Sequence, residues 1–173
     1  VNAPFGIVMA HNGNLTNAHA LRQELFSTDH RHTNTESDSE VLVNIIAHEL
    51  EKNTRGIPLT VDNVFDAVAG VHARLKGSYA VISLIAGHGL LAFRDPYGIR
   101  PLCIGRAADG SVMLASESVA LEGTGFQLER DVAPGEAVFV ALDGTLHTRQ
   151  CAPSSQLYPC LLYTSPSPRD GLL

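Results

Sequence analysis

The chain has 173 residues, enough for one domain with a substantial hydrophobic core. Hydrophobic residues make up 45% of it and charged residues 17%, a composition that excludes a disordered chain and is typical of a folded globular protein. The net charge of −6, with no cluster of Lys and Arg, argues against a nucleic-acid-binding surface.

Cellular location is predicted from apolar runs and cysteines. The longest apolar run, residues 80–86, is interrupted by Ser83 and is far too short to span a membrane. The first residues have neither the basic start nor the long apolar core of a signal peptide. The irregular spacing of the cysteines predicts neither a disulfide framework nor a zinc site, so we expect a cytoplasmic protein. The cysteines are Cys103, Cys151 and Cys160.

The first predicted element is a strand at residues 1–10, nearly all apolar and therefore expected to be buried on both faces. Asn12 and Gly13 follow, and both residue types tolerate a positive φ, which predicts a tight turn. The pair also places a side-chain amide beside an unhindered backbone N–H, and two such donors could hold a developing negative oxygen. From these residues alone, an ordinary β-turn and an anion-binding turn both remain open.

Three helices are predicted next. The first is capped by Thr16 and buries Ala18, Leu21 and Leu25. After a polar loop at residues 27–36, a second helix with an apolar face begins. The residues of that face are Leu42, Ile45, Ile46 and Leu50. Thr60 is expected to cap a third helix, and Gly77 to end it.

The start of the second helix carries a candidate binding residue. Ser37 and Glu40 have the spacing of a capping box, in which Ser37 caps the helix and Glu40 reaches back to it. Asp38 therefore falls in the first turn. It either complements the helix dipole or is held at the edge of a cleft, where it would bind a substrate ammonium group. Both interpretations remain open at this point.

The second half of the chain changes to the pattern of strands. A hairpin is predicted from residues 79–86 and 90–93, with a Gly-containing turn between them. Further strands are predicted at residues 102–105, 112–116, 136–142 and 146–149, with one helical turn at 117–121. Helices followed by antiparallel strands that are apolar on both faces predict an α+β fold built of layers.

Two other groups are weaker candidates. His30 and His32 could bind a metal, but no carboxylate or cysteine lies at ligand spacing nearby, and solvated loop histidines are the preferred interpretation. Arg94, Asp95 and Arg100 could form a functional cluster, although an ion pair that braces the loop is preferred.

Five segments, taken together and in order, resemble one family. They are residues 11–17 (HNGNLTN), 34–40 (NTESDSE), 93–102 (FRDPYGIRPL), 115–118 (ASES) and 130–136 (RDVAPGE). They are similar to the glutaminase domain of the amidophosphoribosyltransferase family, and the resemblance covers residues 1–159. The combination is specific, because sister class-II glutamine amidotransferases carry different residues after the Asn-Gly pair.

The resemblance implies an N-terminal-nucleophile hydrolase fold, in which two antiparallel sheets are stacked between helical layers (αββα). It implies that an N-terminal cysteine attacks the side-chain amide of glutamine, with its own α-amine as base. Ammonia then passes to a phosphoribosyltransferase domain and displaces pyrophosphate from phosphoribosyl pyrophosphate, giving phosphoribosylamine in de novo purine synthesis. No cofactor is expected in this chain, whereas Mg²⁺ is expected in the transferase domain, and the full-length protein is expected to be a homo-oligomer.

Three residues match the site of this family by position. Asn12, through its side-chain amide, and Gly13, through its backbone N–H, match the oxyanion hole. Asp38 matches the group that binds the α-amine of glutamine. The resemblance thus favours a functional role for all three residues over the turn and helix-dipole interpretations.

The chain departs from the family pattern at both ends. The sequence begins with Val1, and no cysteine that could act as the nucleophile precedes the matched segments. The family's substrate-binding arginine, first strands and transferase domain are not found either. We therefore expect a fragment without glutaminase activity of its own. Residues 160–173 resemble the translation of a sequencing-library adapter and are expected to be a non-native or disordered tail, with a natural Ser/Pro linker as the alternative.

Two alternative functions remain open. One is another class-II glutamine amidotransferase, such as an asparagine or glucosamine-phosphate synthase. The other is a catalytically dead relative that only binds glutamine or a partner.

Overall fold

A computed structural model describes residues 5–29, 33–54, 56 and 58–153. The predictions for His30, His32 and residues 160–173 concern residues outside this range. The described helices and strands are β1 (Ile7–Leu15), α1 (Ala18–Asp29), α2 (Asp38–Thr54), α3 (Val61–Arg74), β2 (Gly77–Ile85), β3 (Gly89–Arg94), β4 (Cys103–Arg106), β5 (Val112–Ala115), α4 (Ser118–Glu122), β6 (Gln127–Asp131), β7 (Glu136–Ala141) and β8 (Leu146–Gln150).

The strands form two antiparallel sheets, which lie face to face. The larger sheet has the order β1-β2-β3-β7-β8, and the smaller one has the order β5-β4-β6. One face of the larger sheet packs on α1, α2 and α3 in the main core, and the other packs on the smaller sheet through residues such as Ala92 and Ile104. Leu121 of α4 packs on the remaining face of the smaller sheet, beside Cys103. The predicted α+β fold with stacked sheets between helices is therefore confirmed.

The spacing of apolar residues made α2 predictable, and a capping residue made α3 predictable. Leu42, Ile45 and Leu50 of α2 are fully buried, as their spacing predicts. Thr60 caps α3: its side chain accepts from the Asn63 N–H, and the Asn63 side chain accepts from the Thr60 N–H. Such a capping box satisfies two N–H groups that a helix otherwise leaves open.

The capping box predicted for α2 is wrong in its second half. Ser37 acts as expected, since its hydroxyl accepts from the Ser39 N–H at 3.3 Å. The Glu40 carboxylate, however, accepts from the N–H groups of Asn34 and Thr35, at 2.6 and 2.7 Å. These bonds, that from Asn34 first, lower the pKa of Glu40. Glu40 therefore fastens the loop before the helix rather than the helix cap itself.

Two predictions about element ends are also wrong. Gly77 does not end α3, which stops at Arg74, but begins β2, where a Cβ atom would overlap the Asn14 carbonyl oxygen. Thr16 does not cap α1, because its hydroxyl donates to the Lys76 carbonyl at 3.2 Å. In both cases the residue serves the junction between β1 and β2, a long-range contact that local sequence patterns do not contain.

The sequence did not predict β6. Its side chains are mostly exposed, so it has no alternating apolar pattern. It is held to β4 by the backbone ladder, whose register shifts between Ile104 and Gly105. A polar edge strand of this kind is stabilised by hydrogen bonds rather than by burial.

Stability is expected to depend on pH through His72. Its Nδ1 lies 2.8 Å from the Tyr79 hydroxyl, and burial lowers the pKa of His72 from 6.5 to about 4. Between these two values the unfolded chain binds a proton that the folded chain does not, so stability falls as the pH falls. The full loss is about 3 kcal/mol, at 1.36 kcal/mol per unit of pKa difference.

We expect His72→Gln to flatten this dependence, because glutamine can hydrogen-bond but does not titrate in this range. Urea unfolding at several pH values from 7 to 4 measures the slope. His19→Gln, which changes an exposed histidine of α1, is the matched control and should keep the slope of the unchanged chain. An unchanged slope in the His72 variant would contradict the assignment.

Candidate active site

Asn12 and Gly13 lie inside strand β1, so the predicted tight turn is wrong. β1 pairs with β2 without interruption, from Ile7 opposite Ile85 to Leu15 opposite Gly77. The strand is also not buried on both faces, since Val8 is 63% exposed. The positive φ of Gly13, +147°, is used for a close approach within the sheet rather than for a reversal of the chain.

Gly13 has no room for a side chain. A Cβ atom at this position would overlap the backbone carbonyl oxygen of Ser78 on β2. Because the obstacle is backbone, it cannot rotate away as a flexible side chain could. Only glycine therefore allows β1 and β2 to approach this closely, and the approach leaves the N–H of Gly13 unobstructed by a side chain of its own.

The N–H of Gly13 points to the open edge of the larger sheet. In an antiparallel pair, successive residues direct their N–H groups alternately toward and away from the partner strand. Thr16 donates to Lys76, so even-numbered residues of β1 face β2. Tyr79, opposite Gly13, uses its own N–H and carbonyl on Asp95. Within the described part of the chain, no strand pairs with the edge that Gly13 faces.

Asn12 lies on the face of β1 that is turned toward the smaller sheet, and its side chain is exposed. Its Nδ2 donates to the Ser116 hydroxyl at 3.4 Å, across from β1 to the residue after β5 in the smaller sheet. An amide nitrogen carries two hydrogens, so the second remains available to a ligand. The contact with Ser116 orients the amide group of the residue that precedes Gly13.

Asp38 comes to the same edge from the helix layer. Its Oδ2 accepts from the N–H of Leu15 at 3.0 Å, which is the next edge-facing N–H after that of Gly13. The two N–H groups are about 7 Å apart, since a strand rises about 3.4 Å per residue. The Asp38 side chain is 22% exposed, so the carboxylate is accessible from solvent. The structure therefore places an edge-facing N–H donor and a partly exposed carboxylate side by side on the same edge of the sheet.

His11 lies behind Asp38 and was not singled out from the sequence. Its side chain is 2% exposed, and its Nδ1 lies 3.1 Å from the Ser39 hydroxyl and 3.8 Å from Asp38 Oδ1. Ser39 and Asp38 meet the same ring nitrogen. A Ser-His-Asp relay needs both nitrogens, one for each partner, so these three residues do not form a nucleophilic triad.

The charge state of His11 is set mainly by its surroundings. Burial lowers its pKa, Asp38 raises it, and Arg100 lowers it, with a net shift downward from 6.5. The imidazole is therefore neutral at pH 7. Its Nε2 is buried and has no hydrogen-bond partner among the described residues.

The loop after β3 is braced, though not by the predicted ion pair. Arg94 donates to three backbone carbonyls, and Asp95 accepts from three backbone N–H groups of the loop. The carbonyls are those of Gly98, Arg100 and Val132, and the N–H groups are those of Tyr97, Ile99 and Arg100. Each charge thus satisfies backbone groups that would otherwise be buried without partners.

Neither described cysteine has the character of an activated nucleophile. Cys103 is buried in the smaller sheet, where its Sγ donates to the Ala115 carbonyl at 3.2 Å. Burial raises the pKa of both the Cys103 and the Cys151 thiol, which opposes formation of the thiolate.

In the described ranges no group of three His, Cys, Asp or Glu residues could hold a metal ion. No helix in those ranges is long and apolar enough to cross a bilayer.

We expect Gly13→Ala to destabilise the chain more than an ordinary glycine substitution does. The methyl group would force β1 away from β2, a strain of about 1–3 kcal/mol. Gly110→Ala is the matched control, since Gly110 also has a positive φ, +87°, but nothing lies within 4 Å of its added Cβ. Urea unfolding measures both. Equal losses in the two variants would show that the Gly13 contact is not tight.

Comparisons with known proteins identify the family to which this chain is similar. Residues 2–123 match a family model described as a glutamine amidotransferase domain. Amidophosphoribosyltransferase from Escherichia coli (strain K12) is 54% identical over 165 residues, which cover 93% of this chain and 32% of that protein. Amidophosphoribosyltransferase from Schizosaccharomyces pombe is 45% identical over 174 residues, which cover 95% of this chain and 32% of that protein.

A solved structure is similar as well. It is that of glutamine phosphoribosylpyrophosphate (PRPP) amidotransferase from B. subtilis complexed with ADP and GMP, with a TM-score of 0.68 and 30% sequence identity. The match covers 88% of this chain and 30% of that chain. This chain thus spans about a third of the length of the curated relatives it matches, which is 32% for the two given above.

Proposed function

The chain belongs to the glutamine amidotransferase domain family, and from this premise we propose that it is the glutaminase part of an amidophosphoribosyltransferase. The reaction of the complete protein releases ammonia from glutamine and transfers it to phosphoribosyl pyrophosphate, giving phosphoribosylamine for purine synthesis. The contribution of this chain is to bind glutamine and to stabilise the negative charge that develops on its side-chain oxygen.

One observation carries the proposal: the open edge of β1 offers two complementary groups at the spacing of glutamine. The Gly13 N–H is one, and the Asp38 carboxylate, bound to the N–H of Leu15, is the other. Extended glutamine spans about 6 Å from its α-nitrogen to its side-chain oxygen, by standard bond lengths. With its ammonium on Asp38, glutamine therefore presents its side-chain carbonyl near Gly13.

The chemistry follows from this placement. When a thiolate attacks the side-chain carbonyl, its oxygen becomes an oxyanion, and the Gly13 N–H and the Asn12 amide donate to it. A donor of this kind contributes about 10²–10³ to kcat. The attacking cysteine that the family resemblance implies is neither Cys103 nor Cys151, whose thiols have raised pKa values.

The remaining parts of the proposal concern the complete protein. We propose that phosphoribosyl pyrophosphate and Mg²⁺ bind in a transferase domain outside this chain, and that the complete protein is a cytoplasmic homo-oligomer. No nucleic-acid or membrane partner is proposed. Of the alternative functions, another class-II amidotransferase is disfavoured, because the relatives given above at 54% and 45% identity are both amidophosphoribosyltransferases.

The sharpest test transplants residues 5–153 into the matching segment of the E. coli relative, which supplies the nucleophile and the transferase domain. We expect the chimaera to form phosphoribosylamine from glutamine. Asn12→Ala should lower the glutamine-dependent kcat by about 10²–10³, while ammonia supplied directly should still give product. Asp38→Asn, which keeps an acceptor for Leu15 but removes the charge, should mainly raise the KM for glutamine.

Two control variants separate these effects from general damage. Asn53→Ala changes an amide on α2, and Asp143→Asn changes an exposed carboxylate in the turn before β8; both should leave the kinetics unchanged. A folded chimaera that uses ammonia but never glutamine would contradict the proposal and favour the catalytically dead relative.

A further inference from the structure

We propose that His11 is a positioning residue whose protonation makes glutamine binding at Asp38 depend on pH. The inference rests on the proposed function, because it assumes that Asp38 receives the ammonium group of glutamine. It concerns a residue that touches the carboxylate rather than the reacting atoms.

The geometry couples His11 to Asp38 and Ser39. Side chains alternate along a strand, so His11 points toward α2 while its neighbour Asn12 points to the opposite face. There its Nδ1 meets the first turn of α2, at 3.1 Å from the Ser39 hydroxyl and 3.8 Å from Asp38 Oδ1. The His11 side chain is 2% exposed, so a charge on its imidazole is poorly hydrated and acts strongly on Asp38.

Among the described residues, two charged groups from different elements act on the imidazole. Asp38, at the start of α2, favours the protonated form, whereas Arg100, in the loop after β3, opposes it. Burial opposes it most, so the pKa of His11 lies below 6.5 and the ring is neutral at pH 7. In that state the imidazole places no positive charge beside Asp38.

Protonation changes what Asp38 can bind. The imidazolium places a positive charge 3.8 Å from Asp38 Oδ1, on the carboxylate that would hold the ammonium of glutamine. Two cations then compete for one carboxylate in a partly buried site, where the repulsion between them is only weakly screened. Glutamine affinity should therefore fall on acidification, with neutral His11 as the binding-competent form.

The test uses the 173-residue chain, labelled with ¹⁵N, and glutamine as the probe. Glutamine is titrated at pH values from 8 to 5, and the amide signals of Gly13 and Leu15 report binding at the two ends of the site. We expect the dissociation constant to rise below the pKa of His11, by up to tenfold per pH unit, as the competent fraction falls.

The decisive variant is His11→Gln, which can hydrogen-bond to Ser39 but cannot become charged. Its dissociation constant should stay flat over the same range, while His19→Gln, at an exposed site on α1, should keep the profile of the unchanged chain. If His11→Gln binds glutamine with the same pH profile as the unchanged chain, the inference is overturned.

A second measurement distinguishes failure of this inference from failure of the proposed function. If glutamine binds at no pH, the proposed function fails for this chain, yet the imidazole signals of His11 can still be titrated. Asp38→Asn should lower the pKa of His11, because the carboxylate is the group that raises it. An unchanged pKa in that variant means that the two groups are not coupled, which overturns the role of His11.

Discussion

The close backbone contact between Gly13 and Ser78 is the constraint on which the site depends. It requires glycine at one position of β1 and fixes the register of β1 on β2 through that point. A register shift of one residue would exchange the two sides of the strand, so that the N–H of Gly13 would face β2 instead of the open edge. The positions of the Gly13 N–H, the proposed oxyanion donor, and of the Leu15 N–H, which donates to Asp38, are both consequences of this register.

The charged groups in and beside the site differ in whether they remain available to a ligand. Asp38 lies in the first turn of α2, where the helix dipole stabilises a carboxylate without neutralising it. Burial keeps the nearby His11 neutral. By contrast, the charges of Arg94 and Asp95 in the neighbouring loop are fully occupied with backbone groups. The arrangement separates a charge available for binding from charges that only hold the loop.

The sequence predicted those parts of the fold that depend on local periodicity. The buried face of α2, the cap of α3 and the hairpin of β2 and β3 follow from spacing and turn residues alone. The tight turn at Asn12 and Gly13 was wrong because a glycine with positive φ can also serve a close approach between strands, and that need arises from β2, more than sixty residues away. β6 was missed because a strand held by its backbone ladder shows no apolar alternation. Asn12, Gly13 and Asp38 were candidates from the residues themselves, and the family resemblance favoured a functional role for them. The structure adds that Gly13 and Asp38 meet at one sheet edge, whereas the roles of His11 and Ser116 emerged only from their contacts.

The bond from the Leu15 N–H to Asp38 has a consequence for the solubility of the chain. An open sheet edge exposes unpaired N–H and carbonyl groups, onto which a strand of another molecule can add. Asp38 occupies the last edge-facing N–H of β1 and sets a negative charge beside it, so an added strand could not continue its ladder past Gly13. The carboxylate proposed to hold glutamine therefore also protects this edge of the sheet against aggregation.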